Sequence, residues 1–354
     1  MYFREISTAA TIALLNCTNT VSAHTVIIMS KLDQYLDAAT RDNTVKSYRS
    51  AVEHFEVDWG GLLPASAESV ARYLAAYADQ LALNTLRQRL TALAQWHNEQ
   101  GFPDPTKAPI VRKAMRGIRA LHPALEKQAK PLQLENLEHV VRWIDSSVDL
   151  ARRANHRGAE LRHLRDKSLL LLGFWRGFRS DELSRLTVEH IDVRPGEGMV
   201  CFLSRTKSDR QNQGTTFKAP ALSRLCPVDA YLNWIASAQL TSGPVYRAID
   251  RWGHTREKPL NVDSITPLLR TILRTAGVDA VDHYSGHSLR RGFATWAASN
   301  GWDIKNLMEY VGWKDIKSAT RYIDAADPFA RNRIESAIGQ QSGSGGPAAL
   351  VTNR

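Results

Sequence analysis

Residues 283 to 323 constrain the fold of this chain more than any other stretch. They read HYSGHSLRRGFATWAASNGWDIKNLMEYVGWKDIKSATRYI. Leu289, Phe293, Ala294 and Ala297 recur at helical spacing, so Ser288 to Ser299 is predicted to be a helix capped by Asn300-Gly301. Asp303 to Val311 reads as a second helix, ended by Gly312, and Ile316 to Ile323 as a third that carries Tyr322. On the first helix His287 and Arg290 share one face near the N-terminus. Free N–H groups and the dipole already favour an anion there, and a His and an Arg added to them make a phosphate site. Each residue taken singly has a plainer reading: the His a cap or surface group, the Tyr half-buried packing, Trp313 core.

Two stretches upstream shift that balance. Gly177-Phe178-Arg179-Ser180-Asp181-Glu182-Leu183 follows the apolar run Ser168 to Trp175, which sets Arg179 at a turn between two helices with Glu182 one turn on. Ser204-Arg205-Thr206-Lys207-Ser208-Asp209 ends the strand-like run Met199 to Leu203. Together, Arg179, Lys207, His287-x-x-Arg290, Trp313 and Tyr322 form a pattern that resembles the tyrosine recombinase (phage integrase) family. The likeness is to its Cre-type site-specific recombinases, where a Trp stands at the place of a second His in many relatives. It covers residues 31 to 338 in layout and is specific in the catalytic half.

The resemblance implies a mainly α fold, with a helical N-terminal core-binding domain and a mixed α+β catalytic domain holding a small antiparallel sheet. It also implies an enzyme that cleaves and rejoins DNA through a 3′-phosphotyrosine. Its partners would be double-stranded DNA with a short inverted-repeat site and further copies of itself, in a tetramer that passes through a Holliday junction. No cofactor is implied, because the covalent link stores the bond energy. The family roles fall on Arg179, Lys207, His287, Arg290, Trp313 and Tyr322.

Side-chain chemistry agrees with those roles. Tyrosine is a poor nucleophile at its usual pKa of ~10 and needs charge stabilisation around phosphorus more than a strong base. Arg179 and Arg290 supply forked donors for two non-bridging oxygens, a geometry that lysine lacks. Lys207 can protonate the leaving 5′ oxygen, and His287 can act as general base or as phosphate donor. Trp313 can donate its indole N–H and pack the site but cannot transfer a proton. Glu182 either orients an arginine or histidine from behind or is a structural cap.

Composition points the same way more weakly. The chain has 354 residues, with 46 Lys+Arg against 36 Asp+Glu, a net charge of +10. That excess calls for a polyanionic partner, nucleic acid first. Cys17, Cys201 and Cys226 are scattered and odd in number, which fits a reducing cytoplasm, for this family at a bacterial nucleoid, rather than a disulfide framework. HExxH, CxxC and P-loop patterns are missing, so no metal or nucleotide dependence is expected. No apolar run reaches membrane-spanning length.

In chain order, residues 1–30 read as a disordered extension and 31–121 as the helical domain. Helices are expected from Asn43-Thr44 to Phe55 and over Ala67–Leu81, Thr85–Asn98 and Ile110–Leu121. Leu86, Leu90, Leu93 and Trp96 make a core stripe. The polar face off it is either solvated or groove-facing, and by resemblance Lys46, Arg49, Arg87, Gln88 and Arg89 would meet DNA. Residues 122–132, with two prolines and two lysines, read as a linker.

Residues 133–338 form the catalytic domain, with helices at Leu134–Ser146, Leu150–Arg165, Asp166–Arg176, Pro227–Ala238 and Asn261–Ala276. The Leu150–Arg165 segment is a solvated basic helix in this reading, its His residues not at metal-ligand spacing. Strands are expected at Ile191–Val193, Val200–Leu203 and Thr216–Ala219. Pro328–Ile338 reads as an amphipathic helix that, by resemblance, docks into a neighbouring subunit, and residues 339–354 as a disordered tail. The rival readings are a type IB topoisomerase-like relaxing enzyme, a non-catalytic DNA-binding regulator, and a basic scaffold protein for RNA or membrane.

Overall fold

The computed structural model describes residues 35, 42–123, 128–206, 209, 213–316, 319–320 and 322. The chain divides into two compact units, Met1–Glu126 and Lys127–Arg354.

In the first unit α1 (Asp42–Glu53) leads into a wide turn at His54–Asp58, followed by α2 (Ala67–Ala76), α3 (Leu83–Glu99) and α4 (Pro109–Leu121). Ser66 Oγ accepts the Ser69 N–H to start α2, and Pro109 stands at the first position of α4. Phe55, Val70, Tyr73, Leu74, Leu86, Leu93, Val111 and Ile118 close the core, while Leu90 is only partly buried and Trp96 stacks on Phe102 at its edge. The second helix stops five residues short of Leu81, because residues 77–81 close as turns through Ala78 N–H to Ala75 O and Leu81 N–H to Tyr77 O. His97 is buried and satisfied at both ring nitrogens. Its Nε2 accepts the Ala65 N–H at 2.8 Å and its Nδ1–H donates to Leu93 O at 2.7 Å.

The second unit opens with α5 (Leu134–Arg153) and α6 (Arg157–Trp175), where the sequence suggested three shorter helices. The reason lies in the apolar stripe: Val148 and Ala151 continue the row of Leu137, Val140, Val141 and Ile144 past Ser146. The break falls instead at Asn155, in a left-handed conformation at φ 50°. Nor does the charge at 165–166 end a helix. Arg165 and Asp166 are buried side by side, paired at 2.7 Å, so this end of the basic segment is not solvated as expected. Arg152 and Arg157 both pair with Glu160.

After α7 (Ser180–Arg185) come β1 (Ile191–Arg194), β2 (Gly198–Leu203) and β3 (Thr215–Pro220), an antiparallel sheet in the order β1-β2-β3 with Ile191 opposite Cys201 and Cys201 opposite Phe217. Helix α8 (Pro227–Ser237) is followed by a hairpin absent from the sequence reading, β4 (Arg247–Ile249) with β5 (Thr255–Pro259). Its segment Thr-Arg-Glu-Lys-Pro has no apolar alternation. Arginines of α6 hold it, Arg165 donating to Arg247 O and Arg162 to Asp250 O. The unit continues with α9 (Val262–Thr275), α10 (Gly286–Ser299) and α11 (Ile304–Val311) around one core that includes Phe174, Trp234, Tyr246 and Phe293. Residues 128–132 are strapped to this unit: Lys130 N–H donates to His283 O and Leu132 N–H to Ser288 O. Gly292 permits the strap, since a Cβ there would meet Leu132 O at 2.1 Å.

No helix among the described residues is long and apolar enough to cross a membrane. Residues 1–30, the helix expected at 328–338 and the tail at 339–354 lie outside the described residues, as do parts of Ile316–Ile323.

Candidate active site

Helix α6 is buried on nearly every side along its second half, and it ends at a sharp turn. Gly177 adopts φ 58°, with Val311 3.3 Å from where a Cβ would stand. The turn delivers Arg179 as the residue before α7. Glu182, in the first turn of α7, is 2% exposed, and its two oxygens hold the turn. Oε2 accepts the Arg179 N–H at 2.8 Å and Oε1 accepts Arg179 Nη1 at 2.5 Å. Glu182 therefore caps the helix and holds the Arg179 guanidinium.

Arg290 reaches the same place from α10. It is 3% exposed, donates Nη1 to Gly177 O at 2.6 Å, and has Glu182 Oε2 at 3.9 Å. One buried carboxylate thus stands between two guanidinium groups. Nη2 of Arg290 is buried with no hydrogen-bond partner among the described residues. Burial pushes the Arg290 guanidinium down to about 9. Arg179 adds to that shift, while Glu182 and Tyr322 oppose it.

Helix α10 begins at Gly286, two residues earlier than expected, because Ser285 supplies the cap. Ser285 Oγ accepts the His287 N–H at 3.3 Å and Ser288 Oγ accepts the Ser285 N–H at 2.9 Å. His287 is exposed on that first turn, one turn from Arg290. Helix α11 ends at Gly312 in the left-handed conformation at φ 74°, which turns the chain so that Trp313 is buried against Arg290, with the guanidinium 5.0 Å from the ring centre. Tyr322 stacks on Trp313 with ring centres 4.9 Å apart. Arg291 covers the Tyr322 ring at 5.3 Å and donates to Gln128 Oε1.

Arg179, Glu182, Arg290, Trp313 and Tyr322 are therefore joined by direct contacts. Lys207 lies outside the described residues. Its neighbours Thr206 and Asp209 are buried, and Asp209 Oδ2 accepts the Gly214 N–H. Three participants were not singled out beforehand: the Gly177 carbonyl, Arg291 and Arg176. Arg176 and Arg291 stood beside motif residues in Trp175-Arg176-Gly177 and Arg290-Arg291, but adjacency does not say which of two neighbouring arginines points inward. No group of His, Cys, Asp and Glu side chains among the described residues could hold a metal ion.

In the first unit the expected DNA contacts separate. Gln88 Nε2 donates to Ser47 O and Oγ, and Arg89 Nη1 donates to Ser50 O, so both tie α3 to α1. Arg87 is exposed and donates Nη1 to Asn84 Oδ1; Lys46 is exposed and Arg49 half-buried.

The family model for the phage integrase family matches residues 148–328, just over half of the chain, a span that includes Arg179, Glu182, Lys207, His287, Arg290, Trp313 and Tyr322. The chain belongs to the phage integrase family. It is a tyrosine recombinase, an enzyme of site-specific recombination. The recombinase is 31% identical over 315 residues to an integrase/recombinase XerD homolog of Selenomonas ruminantium, covering 86% of this chain and 88% of that one. It is 25% identical to the recombinase Cre of Escherichia phage P1, over 75% of this chain and 77% of Cre. The likeness is thus not confined to the Cre type. Among solved structures, the fold is similar to XerH recombinase bound to a palindromic difH substrate (TM-score 0.55, 15% identity, 84% and 80% covered). It is also similar to the Tn1549 transposon integrase with transposon right-end DNA (TM-score 0.55, 14% identity, 86% and 94% covered).

Proposed function

We propose that the recombinase cleaves and rejoins duplex DNA with Tyr322 as nucleophile, at short inverted-repeat sites, in a tetramer that exchanges strands through a Holliday junction. The observation that carries this is the clamp of Glu182 on Arg179 and Arg290 beside the stacked Trp313 and Tyr322. Two guanidinium groups repel each other in a buried site. Glu182 offsets that repulsion and fixes their direction, so the forks are aimed before substrate arrives. A phosphate entering there meets the unused Nη2 of Arg290 and loses no protein hydrogen bond in taking it.

In the proposed reaction the Tyr322 oxygen attacks phosphorus and its proton passes to His287. The bond to the 5′ oxygen breaks as Lys207 protonates it, leaving a 3′-phosphotyrosine and a 5′-hydroxyl. That hydroxyl, from the same or a partner strand, reverses the step. Arg179 and Arg290 hold the two non-bridging oxygens throughout, and neither metal nor nucleotide is required. In this reading residues 31–121 form a DNA-binding domain and residues 133–338 the catalytic domain. Lys46, Arg49 and Arg87 face DNA, and the segment 328–338 is exchanged between subunits. The site of action is the bacterial nucleoid.

The test is a trapping assay with DNA selected from the gene's own neighbourhood and nicked beside the scissile phosphate. A covalent 3′-linked complex is expected on a denaturing gel, and Tyr322→Phe is expected to bind the DNA without forming it. An adduct that persists in Tyr322→Phe overturns the assignment.

A further inference from the structure

Arg176 stands three residues before Arg179, at the end of α6. It is 4% exposed and has no carboxylate partner among the described residues. Its guanidinium is enclosed by aromatic rings instead, with its carbon 4.0 Å from the centre of Tyr310, 5.2 Å from Phe217 and 6.0 Å from Phe178. Nε is buried without a hydrogen-bond partner among the described residues. A buried cation without a counter-ion is costly, and cation–π contacts offset only part of that cost.

Among the described residues its guanidinium makes one hydrogen bond. Nη2 donates to the carbonyl of Tyr310. That carbonyl belongs to the last turn of α11, where carbonyls have no partner within the helix and the dipole favours a cation. The next three residues are Val311, the left-handed Gly312 and Trp313. Arg176 therefore caps the helix whose end sets where Trp313 lies. The same region is tied from the other side, since Val311 packs at Gly177 and the Gly177 carbonyl takes Arg290. Arg176 also lies close enough to Arg290 to bear on its charge.

We propose that Arg176 is a positioning residue of the strand-cleavage site: by capping α11 it holds Trp313, and through the stack Tyr322, in register with Arg290. In this proposal it acts through Trp313 and Tyr322 and not on the reacting atoms. The proposal rests on the reading of Tyr322 as nucleophile.

The experiment compares the wild type with Arg176→Met, which fills the aromatic cage without a charge or a donor, and with Arg176→Lys, which keeps both. Nicked DNA is added at saturating protein, and the rate of covalent-complex formation is measured beside DNA affinity and folded fraction. Arg176→Met is expected to bind DNA within about twofold of wild type and to form the complex ~10–100-fold more slowly, the scale of a misplaced reacting group. Arg176→Lys is expected to regain most of that loss. A role in folding alone would leave the rate per folded molecule unchanged. If Arg176→Met does not fold, Arg176→Gln, neutral but still a donor, replaces it and is expected to slow the same step at unchanged affinity. A wild-type rate in the folded neutral variant, while Tyr322→Phe forms no complex, overturns the positioning role and leaves the nucleophile standing. A complex formed by Tyr322→Phe overturns the reading of the site, and this inference with it.

Discussion

Tyr322 lies flat on Trp313, with the ring centres 4.9 Å apart and the planes 2° from parallel. The same Trp ring meets the Arg290 guanidinium at 5.0 Å. One buried indole therefore spaces the tyrosine from the arginine, and the register of that stack is a quantity mutation can change.

Trp313→Ala removes the spacer. Strand cleavage at saturating DNA is expected to fall ~10–100-fold and stability to drop by about 3–5 kcal/mol, as for a large aromatic removed from a core. Trp313→Phe keeps a ring face and is expected to retain most of the activity. Single-turnover trapping and urea unfolding separate the two effects; an Ala variant as active as wild type would show that the stack has no part in the reaction.

Glu182→Ala leaves the Arg179 and Arg290 charges without their shared carboxylate. The expected loss is about 3–5 kcal/mol in unfolding free energy, the cost of stranding a buried charge. Glu182→Gln keeps one of the two acceptor oxygens, for either the Arg179 N–H or its guanidinium, so its loss is expected to be smaller. Equal unfolding midpoints for Glu182→Ala and wild type would refute the clamp as a structural element.

Burial holds the His163 pKa below its ordinary value, with Arg162 adding to the effect and Asp166 opposing it. The unfolded chain then binds the proton first as pH falls, so stability is present above about pH 6.5 and is lost below it. His163→Phe, which preserves ring packing against Trp143, is expected to flatten that acid limb. The check is the unfolding midpoint between about pH 7 and 5; an unchanged slope in the variant would remove His163 from the account.

In the first unit, Lys46→Ala and Arg87→Ala are each expected to weaken DNA binding and reduce the salt slope by about 0.9, the effect of one phosphate contact. Gln88→Ala, whose side chain bridges to Ser47, is expected to act on stability instead. Binding titrations at several salt concentrations decide between them.

What was legible in the sequence was local. The helix starts near Ala67, Asn261 and Asp303, the glycine stop at Gly312 and the β1–β3 sheet lie close to where their residues place them, because caps, turns and alternation act over a few positions. The pattern Arg179, His287, Arg290, Trp313, Tyr322 was legible too, since residue type fixes what chemistry is available. Where the reading failed, a distant partner had intervened. Asp166 buries Arg165 and lets one helix run through, and arginines of α6 hold a hairpin that has no strand pattern of its own.

The sequence by itself determined the family chemistry: two forked cations, a histidine, an indole and a phenol in a mainly helical chain. Only the tertiary structure decided how they meet. Glu182 spans Arg179 and Arg290 across more than a hundred residues of chain. Gln88 and Arg89 brace α3 against α1, and Arg176 caps the helix before Trp313. Propensity carries no information about such pairings. They are set by which buried polar groups must find partners once the core has closed, and that depends on the whole fold.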